Sequence, residues 1–155
     1  MCGICGIVSF NGVGVERSRL ESMCRAIAHR GPDAQGVHVA GAVGLGQTRL
    51  AVIDLSDAAV PPLTNEDGTL WVVFNGEIYN FQALTDTLKQ RGHRFSTRSD
   101  TEVLLHLYED HGIDMVHHLQ GMFAFALWDQ KRQRLFAARD RFGENCASCY
   151  RLERS

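Results

Sequence analysis

Cys2 stands directly behind the initiator in Met1-Cys2-Gly3-Ile4. Its side chain is small enough for Met1 to be removed, and removal leaves a free α-amine on the carbon that carries the thiol. An α-amine titrates near about pH 8 and a thiol near about 8.5. Near neutrality the amine can therefore take the proton of its own residue's nucleophile, directly or through a water, with no separate histidine. By position alone the plain start of a strand is the readier reading of the same residue.

Three further positions carry side chains suited to acyl transfer. Asn75-Gly76 follows the apolar run Leu70–Phe74 and precedes a helical pattern. An amide side chain and the next backbone N–H can point the same way from such a turn and form an oxyanion hole. Asn-Gly is also a common turn pair with no chemical role. Arg49, in a glycine-flanked β segment, has the planar fork that grips a carboxylate bidentately, or is simply a surface cation. Asp100 in Ser99-Asp100-Thr101-Glu102 opens a helix, where a carboxylate acts as an N-cap or holds a substrate ammonium.

Metal chemistry finds less support. Cys2/Cys5 and Cys146/Cys149 both have C-x-x-C spacing, a four-thiolate zinc pattern read literally. The intervening gap of about 140 residues far exceeds that of a zinc ribbon. With no secretory leader in view, the five cysteines are expected to be free thiols, Cys5 and Cys24 in the core. Among the seven histidines, His117 and His118 are adjacent and face different sides of a helix, and no H-E-x-x-H occurs. His106, His111 and His117 read as surface or helix-end residues, and no metal ligand is assigned.

These residues must be positioned by a modest chain. Its 155 residues, 45% hydrophobic and 22% charged, suit one domain able to bury most of its unfolded surface. No apolar run approaches the roughly 20 residues of a membrane span, and a net charge of −2 suggests neither nucleic acid nor an anionic membrane as partner. A cytoplasmic location is expected.

Ile4–Phe10 reads as a strand closed by Asn11-Gly12. Leu20, Met23, Cys24 and Ile27 fall on one helical face that stops before the loop Arg30-Gly31-Pro32-Asp33. Val37–Val39 and Val43–Ile53 are β segments, Asp57–Gly68 a loop, and Leu70–Phe74 a strand. Asn80 is placed to cap a helix over Phe81–Arg91, with Gly92 at its end. Arg94–Thr97 reads as a short strand, then come helices from Asp100 to Gly112 and over Ile113–Leu119. Met122–Trp128 and Arg134–Ala138 form a hairpin around Asp129–Arg132. Clustered strands, rather than regular βαβ units, favour an α+β fold of antiparallel sheets with helices outside.

Seven elements now line up in order: Met1-Cys2-Gly3-Ile4, Arg30-Gly31-Pro32-Asp33, Arg49-Leu50-Ala51-Val52-Ile53-Asp54, Asn75-Gly76-Glu77-Ile78-Tyr79-Asn80, Ser99-Asp100-Thr101-Glu102, Gly121-Met122-Phe123-Ala124-Phe125-Ala126 and Arg139-Asp140-Arg141-Phe142-Gly143. Together they resemble class II glutamine amidotransferases, in particular the N-terminal glutaminase domain of glutamine-hydrolysing asparagine synthetases. The resemblance covers residues 1–143. It implies an N-terminal-nucleophile hydrolase fold, a four-layer αββα sandwich of two antiparallel sheets, with L-glutamine as substrate. Cys2 then resembles the nucleophile, and Asn75 and Gly76 the oxyanion pair. Arg49 resembles the clamp on the α-carboxylate, Glu77 and Asp100 the groups that receive the α-ammonium, and the backbone around Val52 and Ile53 the pocket lining. The Arg30–Asp33 loop flanks the nucleophile and is given no chemical role.

Residues 144–155 depart from that pattern. The family continues with Ile-Lys-Pro-Leu-Tyr-Tyr, a further core strand and a synthetase domain; here Glu144-Asn145-Cys146-Ala147-Ser148-Cys149 follows, and residues 1–155 are expected to hold no synthetase domain. No G-x-x-x-x-G-K-[ST] loop occurs, so no cofactor is expected in this chain, and ATP and magnesium belong to an absent synthetase domain or separate subunit. A glutamine-binding or interaction module of weak catalysis is the alternative reading.

Overall fold

The computed structural model describes residues 2–51 and 61–145. Strands β1 (Gly3–Val8), β2 (Ala34–Ala40) and β3 (Val43–Arg49) form one antiparallel sheet in the order β1-β3-β2. Strands β4 (Leu63–Thr64), β5 (Leu70–Ile78), β6 (Gly121–Asp129) and β7 (Arg134–Arg139) form a second, in chain order and antiparallel throughout. Helix α1 (Arg17–Ala26) covers the first sheet; α2 (Phe81–Gln90) and α3 (Asp100–His111) belong with the second. Two antiparallel sheets stacked between helical layers make the expected αββα sandwich. Among the described residues no helix is long and apolar enough to cross a membrane.

Period-two alternation sorts the longer strands into their layers. On β5 and β6, Val72, Phe74, Phe123, Phe125 and Leu127 pack against Val103, Leu104, Leu107 and Tyr108 of α3. The alternate residues Trp71, Val73, Ala126 and Trp128 meet Ile4, Val8, Val43 and Leu45 between the sheets. Each fully buried Val, Leu or Phe contributes about 1.5–3 kcal/mol relative to exposure. An exposed ion pair such as Arg17–Glu21, 3.1 Å apart, contributes about 0–1 kcal/mol. Packing, not surface charge, holds the layers.

Several local expectations are corrected. Asn75 and Gly76 are not a turn: β5 runs on to Ile78, pairing Asn75 with Ala124 and Gly76 with Phe123. Cross-strand pairing overrides the local turn preference of Asn-Gly. At Gly76 φ is 152°, and a Cβ there would lie 2.1 Å from the Met122 carbonyl oxygen, so only glycine fits. The 57–68 loop contains β4, whose two residues pair with Trp71 and Val72. Arg94–Thr97 is not a strand, because side-chain bonds replace a ladder there. The Ser96 and Thr97 N–H and hydroxyl groups all donate to the Glu102 carboxylate, at 2.6–2.9 Å. Asn80 stands at the start of α2 without capping it; its amide bridges the His118 carbonyl and the Gln120 N–H instead. Residues 112–118 form a 3-10 turn.

Candidate functional site

Cys2 precedes β1 and is half-buried. Its Sγ receives the Leu50 N–H at 3.5 Å and lies 3.8 Å from the Leu50 carbonyl oxygen. The Arg30 Nε–H donates to the Cys2 carbonyl at 3.1 Å. Gly31 then presses against β3 so closely that a Cβ would sit 2.5 Å from the Thr48 and Arg49 backbone. The Asp33 N–H bonds the Arg49 carbonyl at 3.0 Å, and the Asp33 carboxylate takes the Ala51 N–H at 2.8 Å. The Arg30–Asp33 loop therefore fixes both Cys2 and the segment its thiol touches. The sequence placed this loop beside the nucleophile only through the resemblance, and nothing in it signalled the bonds that brace Cys2.

Strand parity says where Cys2 points. Ile4 and Val8 face the inter-sheet layer, whereas the Cys5 thiol lies 3.6 Å from that of Cys24 on α1. Cys2 shares the parity of Ile4, and Arg49 that of Leu45 and Val43. With Gly3 paired to Thr48, Cys2 and Arg49 are next to each other at one end of the first sheet's inner face. Gln47, one inner position back from Arg49, accepts the Phe74 N–H at 2.9 Å, beyond the end of short β4. That bond ties this end of the first sheet to β5 one residue before Asn75. Asn75, in step with Trp71 and Val73, also faces the inter-sheet layer. Cys2, Arg49 and Asn75 thus occupy the same end of the sandwich on facing surfaces.

Asn75 is 5% exposed, and its Nδ2 donates at 2.9 Å to Oδ1 of Asn145, itself 2% exposed. Asp140 folds the chain back to make this contact. Its carboxylate accepts the N–H groups of Phe123, Phe142, Glu144 and Asn145 at 3.0–3.2 Å. Burial would raise the Asp140 pKa, but these backbone donors outweigh it and hold the carboxyl below its usual range. Because Phe123 pairs with Gly76, the turn ends beside the Asn75-Gly76 pair. The sequence offered no signal for Asn145, which lay in the atypical tail.

Asp100 opens α3, but the cap is Ser99, whose hydroxyl accepts the Thr101 N–H at 3.2 Å. The buried Asp100 carboxylate instead accepts the Ile78 N–H at 3.0 Å, beside exposed Glu77. Burial pushes the Asp100 carboxyl up; the Ile78 N–H opposes this and the nearby Glu77 charge adds to it, for a pKa of about 6. Val52 and Ile53 lie outside the described residues, as do Cys146 and Cys149.

The zinc reading of the cysteine pairs fails at its first half, because Cys2 and Cys5 project from opposite faces of one strand. Of the two cysteines expected in the core, Cys24 is buried but Cys5 is only half-buried; burial, reinforced by Cys24, still pushes the Cys5 thiol up to about 12 and keeps it un-ionised.

His106 is not a surface residue: it is 1% exposed, because α3 is buried without a break from Asp100 to Tyr108. Its Nδ1 lies 2.9 Å from Glu109, and Glu109 is 3.3 Å from His93 and 2.8 Å from the Asn65 amide. The donor atoms of His93, His106 and Glu109 all lie within 4.8 Å of one another, with both histidines set against Glu109. Burial would lower the His106 pKa, but Glu102 and Glu109 together push it up to about 9. Burial would likewise raise Glu102, yet His106 and the Ser96 and Thr97 donors hold it at about 2. A raised histidine stabilises fully below its unfolded value, about 6.5, and that stability is lost as pH rises through about 9. A lowered glutamate stabilises fully above its unfolded value, about 4.3, and that stability is lost as pH falls towards about 2. Urea midpoints should therefore be highest between these limits, and His106→Gln should flatten the alkaline limb. An unchanged alkaline limb in that variant would show that His106 does not carry the effect.

The glutamine amidotransferase domain family matches residues 1–149. An asparagine synthetase [glutamine-hydrolyzing] of Bacillus subtilis is 46% identical over 145 residues, covering 92% of this chain and 24% of the relative. One of Arabidopsis thaliana is 44% identical over 144 residues, with the same shares. The chain thus spans about a quarter of the length of these relatives. The solved glutamine phosphoribosylpyrophosphate amidotransferase of Bacillus subtilis superposes with a TM-score of 0.72 at 23% identity, over 88% of this chain and 37% of that one, a likeness of fold.

Proposed function

Because the chain belongs to the glutamine amidotransferase domain family, we propose that it hydrolyses the side-chain amide of L-glutamine to glutamate and ammonia through a thioester on Cys2. The observation that carries this reading is the placement of Cys2, Arg49 and Asn75 on facing surfaces at one end of the sandwich. After Met1 is removed, the Cys2 amine takes the thiol proton and the thiolate attacks the amide carbon. The oxyanion rests on the Asn75 Nδ2–H and the Gly76 N–H. Collapse breaks the C–N bond, and the amine returns its proton to the departing ammonia. Water then attacks the thioester, the C–S bond breaks, and glutamate leaves with the thiol restored. Arg49 pairs with the substrate carboxylate; Glu77 and Asp100 receive its ammonium. No metal or cofactor enters these steps.

Ammonia and glutamate release from glutamine by the purified chain tests the reaction. Equimolar products support it, and product formation no faster than the buffer control contradicts it. The names of the relatives point to asparagine formation, or a related amidation, as the use of the ammonia. A synthetase supplied as a separate chain, carrying its own ATP and magnesium, should then turn glutamine nitrogen into product. Absence of both association and transfer would count against that use.

Asp100 gives this reading a pH signature. Its free-state pKa of about 6 means that it is largely uncharged below pH 6 and no longer attracts the substrate ammonium. Because kcat/KM reports the free enzyme, it should fall as pH drops through about 6. In Asp100→Asn the plateau should be lower and that limb absent. A limb of unchanged midpoint in the variant would remove Asp100 from substrate binding.

A further inference from the structure

We propose that Asn145 is a positioning residue for the oxyanion donor, holding the Asn75 carboxamide so that its second N–H faces the oxyanion formed when Cys2 attacks. The inference rests on the glutaminase reading above. An Asn side chain turns freely about its last torsion unless something fixes it, and an oxyanion donor is effective only when fixed in advance. Asn75 lies in a strand, so its backbone is set by the ladder to β6. Its Nδ2 has a single bonded partner among the described residues, Asn145 Oδ1 at 2.9 Å. A primary amide has two N–H donors, so that bond uses one and leaves one.

The contact is built rather than incidental. Both amides are buried, and Asn145 is itself held through its N–H by Asp140, whose carboxylate also takes the N–H of Phe123, the partner of Gly76 across the sheet. One carboxylate thus sets the distance between Asn145 and the Asn75-Gly76 pair. Asn75 Oδ1 and Asn145 Nδ2 are buried with no partner among the described residues. A purely structural amide pair would satisfy its polar atoms; this one keeps a donor and an acceptor spare, as a polar site does. Exchanging oxygen and nitrogen on both amides swaps which side chain donates but leaves them joined by one bond, so the anchoring is the same in either assignment.

The test is a double-mutant cycle on the full chain with Asn145→Ala, Asn75→Ala and both together, each confirmed folded by its thermal transition. Asn145→Ala should lower kcat about 10–100-fold, less than the roughly 10²–10³ of losing the donor itself, with KM within twofold. The double variant should fall no further than Asn75→Ala, because Asn145 acts only through Asn75. Asn145→Leu, which fills the volume without the acceptor, should behave like Asn145→Ala if the bond matters and like the unmodified chain if only packing does. Near-normal kcat in Asn145→Ala or Asn145→Leu, or losses that multiply in the double variant, would overturn the inference while leaving the glutaminase reading intact. No glutaminase activity in the unmodified chain would overturn that reading and this inference with it.

Discussion

Cys2→Ala is expected to release no ammonia from glutamine above the uncatalysed background while remaining folded. The proposed sequence runs through a thioester on the Cys2 sulfur, which alanine cannot form, and no other described group can replace it. Cys5 faces α1, where its thiol meets that of Cys24, and Cys5 is held as an un-ionised thiol. The structural cost should be small. Cys2 is half-buried, and its sulfur contacts to Leu50 are long at 3.5 and 3.8 Å. The Arg30 bond uses the Cys2 carbonyl, which alanine keeps. A stability change within about 1 kcal/mol is therefore expected. Loss of activity with an unchanged melting transition fits a nucleophile; retained turnover would remove Cys2 from the chemistry.

Asn75→Ala carries the second large effect, and it has two separable parts. Removing one oxyanion donor costs about 10²–10³ in kcat. The substrate's α-carboxylate and α-ammonium contacts are untouched, so KM should stay within a few-fold. The second part is structural. Truncation leaves the buried Asn145 carboxamide without its partner, at about 1–3 kcal/mol for an orphaned polar group. Steady-state kinetics at a temperature well below the variant's own transition separates the two. A kcat reduced less than threefold in folded protein would place the oxyanion elsewhere.

The two sheets and their flanking helices were legible because alternation and helical spacing are local patterns. The apolar run Leu70–Phe74 marks β5 plainly, but the end of that strand was misplaced. Asn75-Gly76 carries strong turn chemistry, and only the partner strand β6, far along the chain, carries β5 through it. Strand β4 was missed because two residues hold no period. His106 was misjudged because α3 is buried nearly all round, so no polar face marked which side was inside. For the site, the residue types of Cys2, Arg49, Asn75 and Asp100 were visible in one dimension. What positions them was not. The Arg30–Asp33 brace, the Gln47 tie between sheets and the Asp140 cradle under Asn145 all join residues that are close only after folding.

The central claim is that Cys2 is a free N-terminal nucleophile, and intact mass tests it most directly. The purified chain is incubated with a glutamine-like electrophile and weighed, alongside Cys2→Ala. The proposed chemistry predicts a mass lacking Met1 plus one adduct, mapped to Cys2 and absent from the variant. A chain that retains Met1, or an adduct that persists unchanged in Cys2→Ala, would contradict it.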